Sequence, residues 1–167
     1  SELLKKLETY ADSDYLPMHM PGHKRRMGDL GNPFFIDITE IDGFDDLHHA
    51  EGILKQAEER AAELYGSEET HYLVNGSTSG ILAAISGCTA AGGTVLLARN
   101  SHKSAYHAVL LRGLHVHYIY PQPAGKMGIN GPVTAENVDR LLEEQPETKM
   151  VYITSPTYDG VVSDVEQ

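Results

Sequence analysis

The chain has 167 residues, 41% of them hydrophobic, which is enough to bury one substantial core and suggests one domain. A formal net charge of −11 argues against nucleic acid or an anionic membrane surface as a partner. No apolar run reaches the length of a membrane span, and Ser1-Glu-Leu-Leu-Lys-Lys6 has no signal-peptide core, so a cytoplasmic protein is expected. Cys88 is the single cysteine, so no internal disulfide can form. Its place on an apolar helical stripe predicts a small buried residue rather than a nucleophile. The closing Val161-Val-Ser-Asp-Val-Glu-Gln167 carries no helix-ending glycine or polar tail, and a piece of a longer protein is the expectation.

Residues 2–10 predict a short amphipathic helix with Leu3, Leu4 and Leu7 on one side. Pro17-Met-His-Met-Pro-Gly-His-Lys-Arg-Arg26 holds two prolines, a glycine, two histidines and three cations, and predicts an irregular loop. His19 and His23 lack a carboxylate at metal-ligand spacing, so no metal site is expected there. Residues 34–41 are extended in pattern. Asp42-Gly-Phe-Asp-Asp-Leu-His-His49 predicts an irregular acidic loop. Carboxylates beside histidines suggest a metal or a proton relay, but the spacing matches no metal motif, and a structural or interface role is expected. Residues 51–65 predict a strong helix with Ile53, Ala57, Ala61 and Leu64 on its apolar face and Gly66 as its stop.

The most informative stretch is His71-Tyr-Leu-Val-Asn-Gly-Ser-Thr-Ser-Gly-Ile81. Leu73 and Val74 predict a short strand, Asn75-Gly76 a turn, and Ser77, Thr78 and Ser79 the N-cap of a helix with the stripe Ile81, Ala84, Ile85, Cys88. Such a turn leaves backbone N–H groups free at the positive end of a helix, and three hydroxyls can join them to bind an anion, most naturally a phosphate. A well-capped helix after a strand explains the same residues, and local sequence leaves both readings open.

Thr94-Val-Leu-Leu-Ala98 predicts a buried strand. Arg99-Asn-Ser-His-Lys-Ser104 is the next turn, with Ser101 placed to cap a helix through about residue 111. Leu114-His-Val-His-Tyr-Ile-Tyr120 predicts a strand with Leu114, Val116 and Tyr118 on one side, against His115, His117 and Ile119. Residues 122–132 form a loop. Thr134 caps a helix with Val138, Leu141 and Leu142 inward, and Met150-Val-Tyr-Ile-Thr154 predicts another buried strand that ends in Ser155-Pro-Thr-Tyr-Asp-Gly160. The order from about residue 70 is β-α-β-α-β-α-β, which predicts an α/β fold with three layers, helices on both faces of a mainly parallel sheet. Ligands in such sheets sit at the carboxyl ends of strands, so the loops at residues 75–79, 99–104 and 155–160 are where chemistry is expected. Neither a dinucleotide fingerprint nor a P-loop motif is present.

Taken together, these segments resemble the pyridoxal 5'-phosphate (PLP) decarboxylases of ornithine, lysine and arginine, of the aspartate-aminotransferase fold class (fold type I). The resemblance is carried by His19-Met-Pro-Gly-His-Lys24, Asp45-Asp-Leu-His48, Leu73-Val-Asn-Gly-Ser-Thr-Ser-Gly80, Arg99-Asn-Ser-His-Lys-Ser104 and Thr157-Tyr-Asp-Gly160, in the family's order and over nearly the whole chain. It looks closest to the shorter bacterial branch without an N-terminal receiver-like domain.

The resemblance implies that residues 1–50 form an N-terminal helix with interface and active-site loops. Residues 51–167 would be the first part of a PLP-binding fold type I large domain. It implies that Gly76, Ser77, Thr78 and Ser79 bind the PLP phosphate, and that His102 is a cofactor-binding and catalytic residue stacked over the pyridine ring. The Thr157-Tyr-Asp-Gly160 loop would lie close to the cofactor. It further implies a basic amino acid as substrate, a homodimer or higher assembly of the full-length enzyme, and a place near its interface for the loops at residues 19–24 and 42–49. The family's Schiff-base lysine and the aspartate opposite the pyridine nitrogen come later than Thr-Tyr-Asp-Gly. Lys103 and Asp159 are therefore not expected to fill those roles, and the 167 residues alone are expected to be inactive. An aminotransferase or carbon–sulfur lyase of the same fold would lack the His-Met-Pro-Gly-His-Lys and Asp-Asp-Leu-His segments. A non-catalytic phosphate-binding module, or a structural subdomain without a ligand, is the alternative from another class.

Overall fold

A computed structural model describes residues 2–16, 31, 33 and 37–166. The expected loop at residues 17–26, with His19, His23 and Lys24, and the first part of the extended stretch at 34–36 lie outside the described residues. The chain forms two compact units, Ser1–Thr70 and His71–Gln167.

Among its described residues, the first unit carries the helices α1 (Glu2–Ala11) and α2 (Ile53–Tyr65). The leucine stripe of α1 forms as the periodicity predicts, but Leu3, Leu4 and Leu7 all remain exposed. Helix α2 ends at Gly66, whose φ of 67° is left-handed and whose N–H, with that of Ser67, reaches back to the carbonyls of the last turn. Its inner face differs from the expected one. Ala62 is buried and Leu54, Ala57 and Ala61 are half-buried, whereas Ile53 and Leu64 are exposed. The buried stripe is therefore turned by about one residue from the expected one.

The residues before α2 are organised by one carboxylate. Asp45 sits at φ 68°, a left-handed conformation that aspartate tolerates better than most residues. Its Oδ1 accepts from the N–H groups of Asp46 and Glu51 at 3.0 Å each, and its Oδ2 from Gly52 at 2.8 Å and Leu54 at 3.0 Å. The loop at residues 42–49 thus caps the positive end of α2 with an anion. These bonds, that from Glu51 foremost, hold the Asp45 carboxyl at about 2, below its ordinary 3.8.

The second unit contains α3 (Gly76–Cys88), β1 (Thr94–Ala98), α4 (Lys103–Arg112), β2 (His115–Ile119), α5 (Ala135–Glu144) and β3 (Thr148–Tyr152). The three strands are parallel in the order β2-β1-β3. The central β1 is buried along its whole length, and its alternation builds two cores. Val95 and Leu97 pack with Ile85, Ala105, Ala108 and Leu114, the α3 and α4 side. Leu96 and Ala98 pack with Ile119 and Val133 and with Val138, Leu141 and Leu142 of α5 on the opposite side. This is the expected three-layer arrangement. Val116 and Tyr118 face the α3 and α4 core and Ile119 the other, as the alternation of β2 predicts. Thr134 caps α5 by accepting from Asn137 N–H at 3.4 Å.

Two further expectations are corrected in the second unit. No strand forms at residues 71–74: Leu73 and Val74 are 50% and 70% exposed, and the backbone turns directly into α3. Without a neighbouring strand to bury them, strand-forming side chains do not make a strand. Cys88 is exposed rather than buried, because α3 turns Ile81, Leu82 and Ile85 inward, while Ala84 and Cys88 face out.

Two consequences can be measured. Leu96 is fully buried, so Leu96→Ala should cost about 2–5 kcal/mol in urea unfolding of the second unit; a loss near zero would mean that β1 is not the core strand. The depressed Asp45 carboxyl contributes its full stabilisation above 3.8, and this is lost as pH falls through about 2. The amide proton shifts of Glu51, Gly52 and Leu54 should titrate together with that midpoint. Midpoints at 3.8, or independent ones, would remove the shared cap.

Candidate functional site

Helix α3 runs into β1 through a short connection, so its N-terminus lies at the carboxyl end of the sheet; α4 leaves β1 at that same end. Because α3 and α4 share one face of the sheet, their N-termini are neighbours there. The connection after β3 opens at this end as well. Parallel α/β sheets place ligands at such an edge.

The α3 terminus begins at Gly76, so Ser77, Thr78 and Ser79 occupy its first turn rather than preceding it. Asn75 is the N-cap residue and makes no side-chain cap bond. The well-capped alternative is therefore not what forms, and among the described residues the first-turn N–H groups have no side-chain acceptor. Gly76 has φ 65°, in the left-handed region, and no heavy atom stands within 4 Å of where a Cβ would be. Ser77 and Thr78 are exposed, and Ser79 is half-buried and donates to Gly76 O at 2.9 Å. No acidic residue lies in this turn. N–H donors, the exposed hydroxyls of Ser77 and Thr78, an open glycine and no carboxylate within the turn itself fit a phosphate group.

The second element is the β1–α4 turn. His102, not Ser101, caps α4: its Nδ1 accepts from Ser104 N–H at 3.2 Å and lies 2.8 Å from Ser104 Oγ. The imidazole is exposed at the edge of the sheet. Among the described residues, Asn100 Oδ1 and Ser101 Oγ are buried without a hydrogen-bond partner. Arg99 begins the turn. Its Nη1 donates to Tyr106 Oη at 2.9 Å, and that hydroxyl donates to Arg99 O at 2.6 Å. The guanidinium lies 5.5 Å from the ring centroids of both Tyr106 and Tyr118. The bond to Tyr106 chiefly raises the Arg99 pKa, so the cation is a fixed charge of this turn. Tyr106 and Tyr118 carry no chemical motif, and sequence reasoning passed over this clamp. The signal was there in β2 alternation, which turns Tyr118 toward α4.

The third element, residues 155–160, is a closed turn. Thr157 N–H donates to Val161 O at 2.8 Å, and Val161 N–H donates to Thr157 Oγ1 at 3.1 Å. Tyr158 stands fully exposed at its tip, with Asp159 exposed beside it. The base of the turn is held by Ser155 and Ser163: Ser163 N–H donates to Ser155 Oγ, and Val133 N–H to Ser163 Oγ, each at 3.0 Å. Lys103 is exposed at the first position of α4, next to His102 in sequence. Among the described residues no cluster of three histidine, cysteine or acidic side chains is gathered for a metal, and no helix is long and apolar enough to cross a membrane.

The family model described as Orn/Lys/Arg decarboxylase, major domain, matches residues 1–167. The chain is 38% identical to the Bacillus subtilis (strain 168) protein YaaO, over 99% of this chain and 36% of YaaO. It is 33% identical to an arginine decarboxylase of the same organism, over 96% of this chain and 34% of that enzyme. It thus spans about a third of the length of the curated relatives it matches. The constitutive lysine decarboxylase of E. coli has the same fold, with a TM-score of 0.63 at 23% identity over 95% of this chain and 25% of that one. The mixed α/β, mainly parallel architecture expected from sequence, a partial fold type I large domain, is therefore the observed one. With a match that runs from the first residue to the last, this chain belongs to the Orn/Lys/Arg decarboxylase family.

Proposed function

We propose that this chain contributes the phosphate-binding and ring-covering part of a PLP-dependent decarboxylase that converts a basic amino acid, arginine, lysine or ornithine, to the corresponding amine. The observation that carries the reading is the meeting of two helix N-termini at one sheet edge, α3 without a side-chain cap and α4 capped by an imidazole. When bound, PLP supplies an electron sink for the pair of electrons left when carbon dioxide departs.

Each residue then has a defined task. The first-turn N–H groups at Gly76–Ser79 and the hydroxyls of Ser77 and Thr78 hold the dianionic phosphate, helped by the positive end of α3. Gly76 brings the backbone close without a side chain in the way. His102 would present a flat ring to one face of the cofactor and exclude water there. Arg99, tied to Tyr106, holds the turn that carries His102. The turn at residues 155–160 closes the same edge. The lysine that binds the cofactor covalently, and the aspartate paired with the pyridine nitrogen, come from outside these 167 residues. Residues 1–50 contribute interface and active-site loops to a cytoplasmic homodimer or higher assembly.

The full-length protein with PLP should release carbon dioxide from at least one of arginine, lysine and ornithine, while the 167-residue chain alone should release none. Turnover of none of the three by the full-length protein would overturn the reading. Thr78→Ala removes one hydroxyl from the phosphate without touching the core, and should weaken PLP binding roughly ten- to hundredfold, read from recovery of the aldimine absorbance on titrating PLP into apoprotein. An unchanged Kd would take Thr78 out of the cradle.

A further inference from the structure

Ser104 is polar, yet it is fully buried, while His102 two residues earlier is exposed. Both groups of Ser104 that can donate converge on one atom of that histidine: the backbone N–H at 3.2 Å and the hydroxyl oxygen at 2.8 Å from Nδ1. A backbone N–H can only donate. Nδ1 is therefore the acceptor and carries the lone pair, and in the neutral ring the proton sits on Nε2. The hydroxyl, a rotor, then completes the contact as a second donor. Turning the ring over would put a carbon where Nδ1 stands and forfeit both bonds.

The support is rigid. Ser104 lies on α4 beside Ala105, and both are buried, with Ala105 in the core against β1. An exposed ring is thus held by a fully buried residue whose neighbour Ala105 packs in the core with Val95 and Leu97 of β1. Helix capping alone does not account for the choice, since Ser, Thr, Asn and Asp are the favoured N-caps and histidine is not among them. Histidine adds a flat ring with a second nitrogen, and capping leaves that nitrogen as the N–H.

We propose that Ser104 is a positioning residue that locks His102 in the Nε2–H tautomer and in one ring orientation, directing an N–H donor away from α4 at the sheet edge. The use of that donor in decarboxylation rests on the reading of His102 as the ring-covering residue.

The test uses full-length protein labelled with 15N-histidine and loaded with PLP, with the His102 signals assigned by their loss in His102→Gln. The wild type should show a protonated Nε2 and a bare Nδ1. Ser104→Ala removes only the hydroxyl; it should give mixed tautomers and lower kcat about tenfold with KM little changed, while Ser104→Thr should restore both. A proton on Nδ1 in the wild type, or a Ser104→Ala variant with unchanged tautomer or unchanged kcat, overturns the proposal. Should the threonine methyl unfold α4, the wild-type and alanine spectra decide by themselves. If His102→Gln leaves the PLP absorption band and the rates unaltered, the ring-covering reading fails instead, and the tautomer spectrum still decides on the lock.

Discussion

Burial of β1 on both faces is the constraint on which the second unit depends. A five-residue strand with every residue buried needs apolar cover above and below, and α3 with α4 supplies one side while α5 supplies the other. That cover sets the direction of each helix. A helix leading into β1 and a helix leaving it must both place their N-termini at its carboxyl end, so the positive ends of α3 and α4 are brought together by packing rather than by any contact with a ligand. The site is then a by-product of core formation. A residue such as Leu97 thus bears on the placing of the α3 and α4 starts through the helices that bury it.

The two helix starts solve the same problem in different ways. At α4 the orphan N–H of Ser104 is satisfied by the His102 ring, which spends the helix end on orienting an imidazole. At α3 no side chain takes that place, and the hydroxyls point outward or, for Ser79, back to Gly76. An uncapped N-terminus leaves donors unsatisfied by protein, and a phosphate satisfies them. The first unit shows the third possibility: four N–H groups before and within the start of α2 are taken by the single carboxylate of Asp45. That helix start already carries an anion of its own.

Much of this was legible in the sequence because the signals were periodic. The strands at 94–98 and 115–119, the cap at Thr134 and the inward set Val138, Leu141 and Leu142 follow from alternation and 3.6-residue spacing. The motif turns around Gly76 and His102 were visible as clusters of glycine, hydroxyls and histidine. What failed depended on neighbours. Leu73 and Val74 have strand propensity, but a strand also needs a paired edge. The rotation of α2 and the exposure of Cys88 follow from which of several small residues the core accepts, which spacing alone does not decide. The Arg99–Tyr106–Tyr118 clamp and the grip of Ser104 on His102 join residues whose types are unremarkable one by one.

The central claim is that the ends of α3 and α4 form one site, with the phosphate at the first and the cofactor ring under His102 at the second. A crystal structure of the full-length protein with PLP bound tests it most directly. The account predicts phosphate oxygens within hydrogen-bond reach of the Gly76–Ser79 backbone N–H groups and the His102 ring stacked on the pyridine. A phosphate bound elsewhere, or His102 turned away from the cofactor, would contradict it.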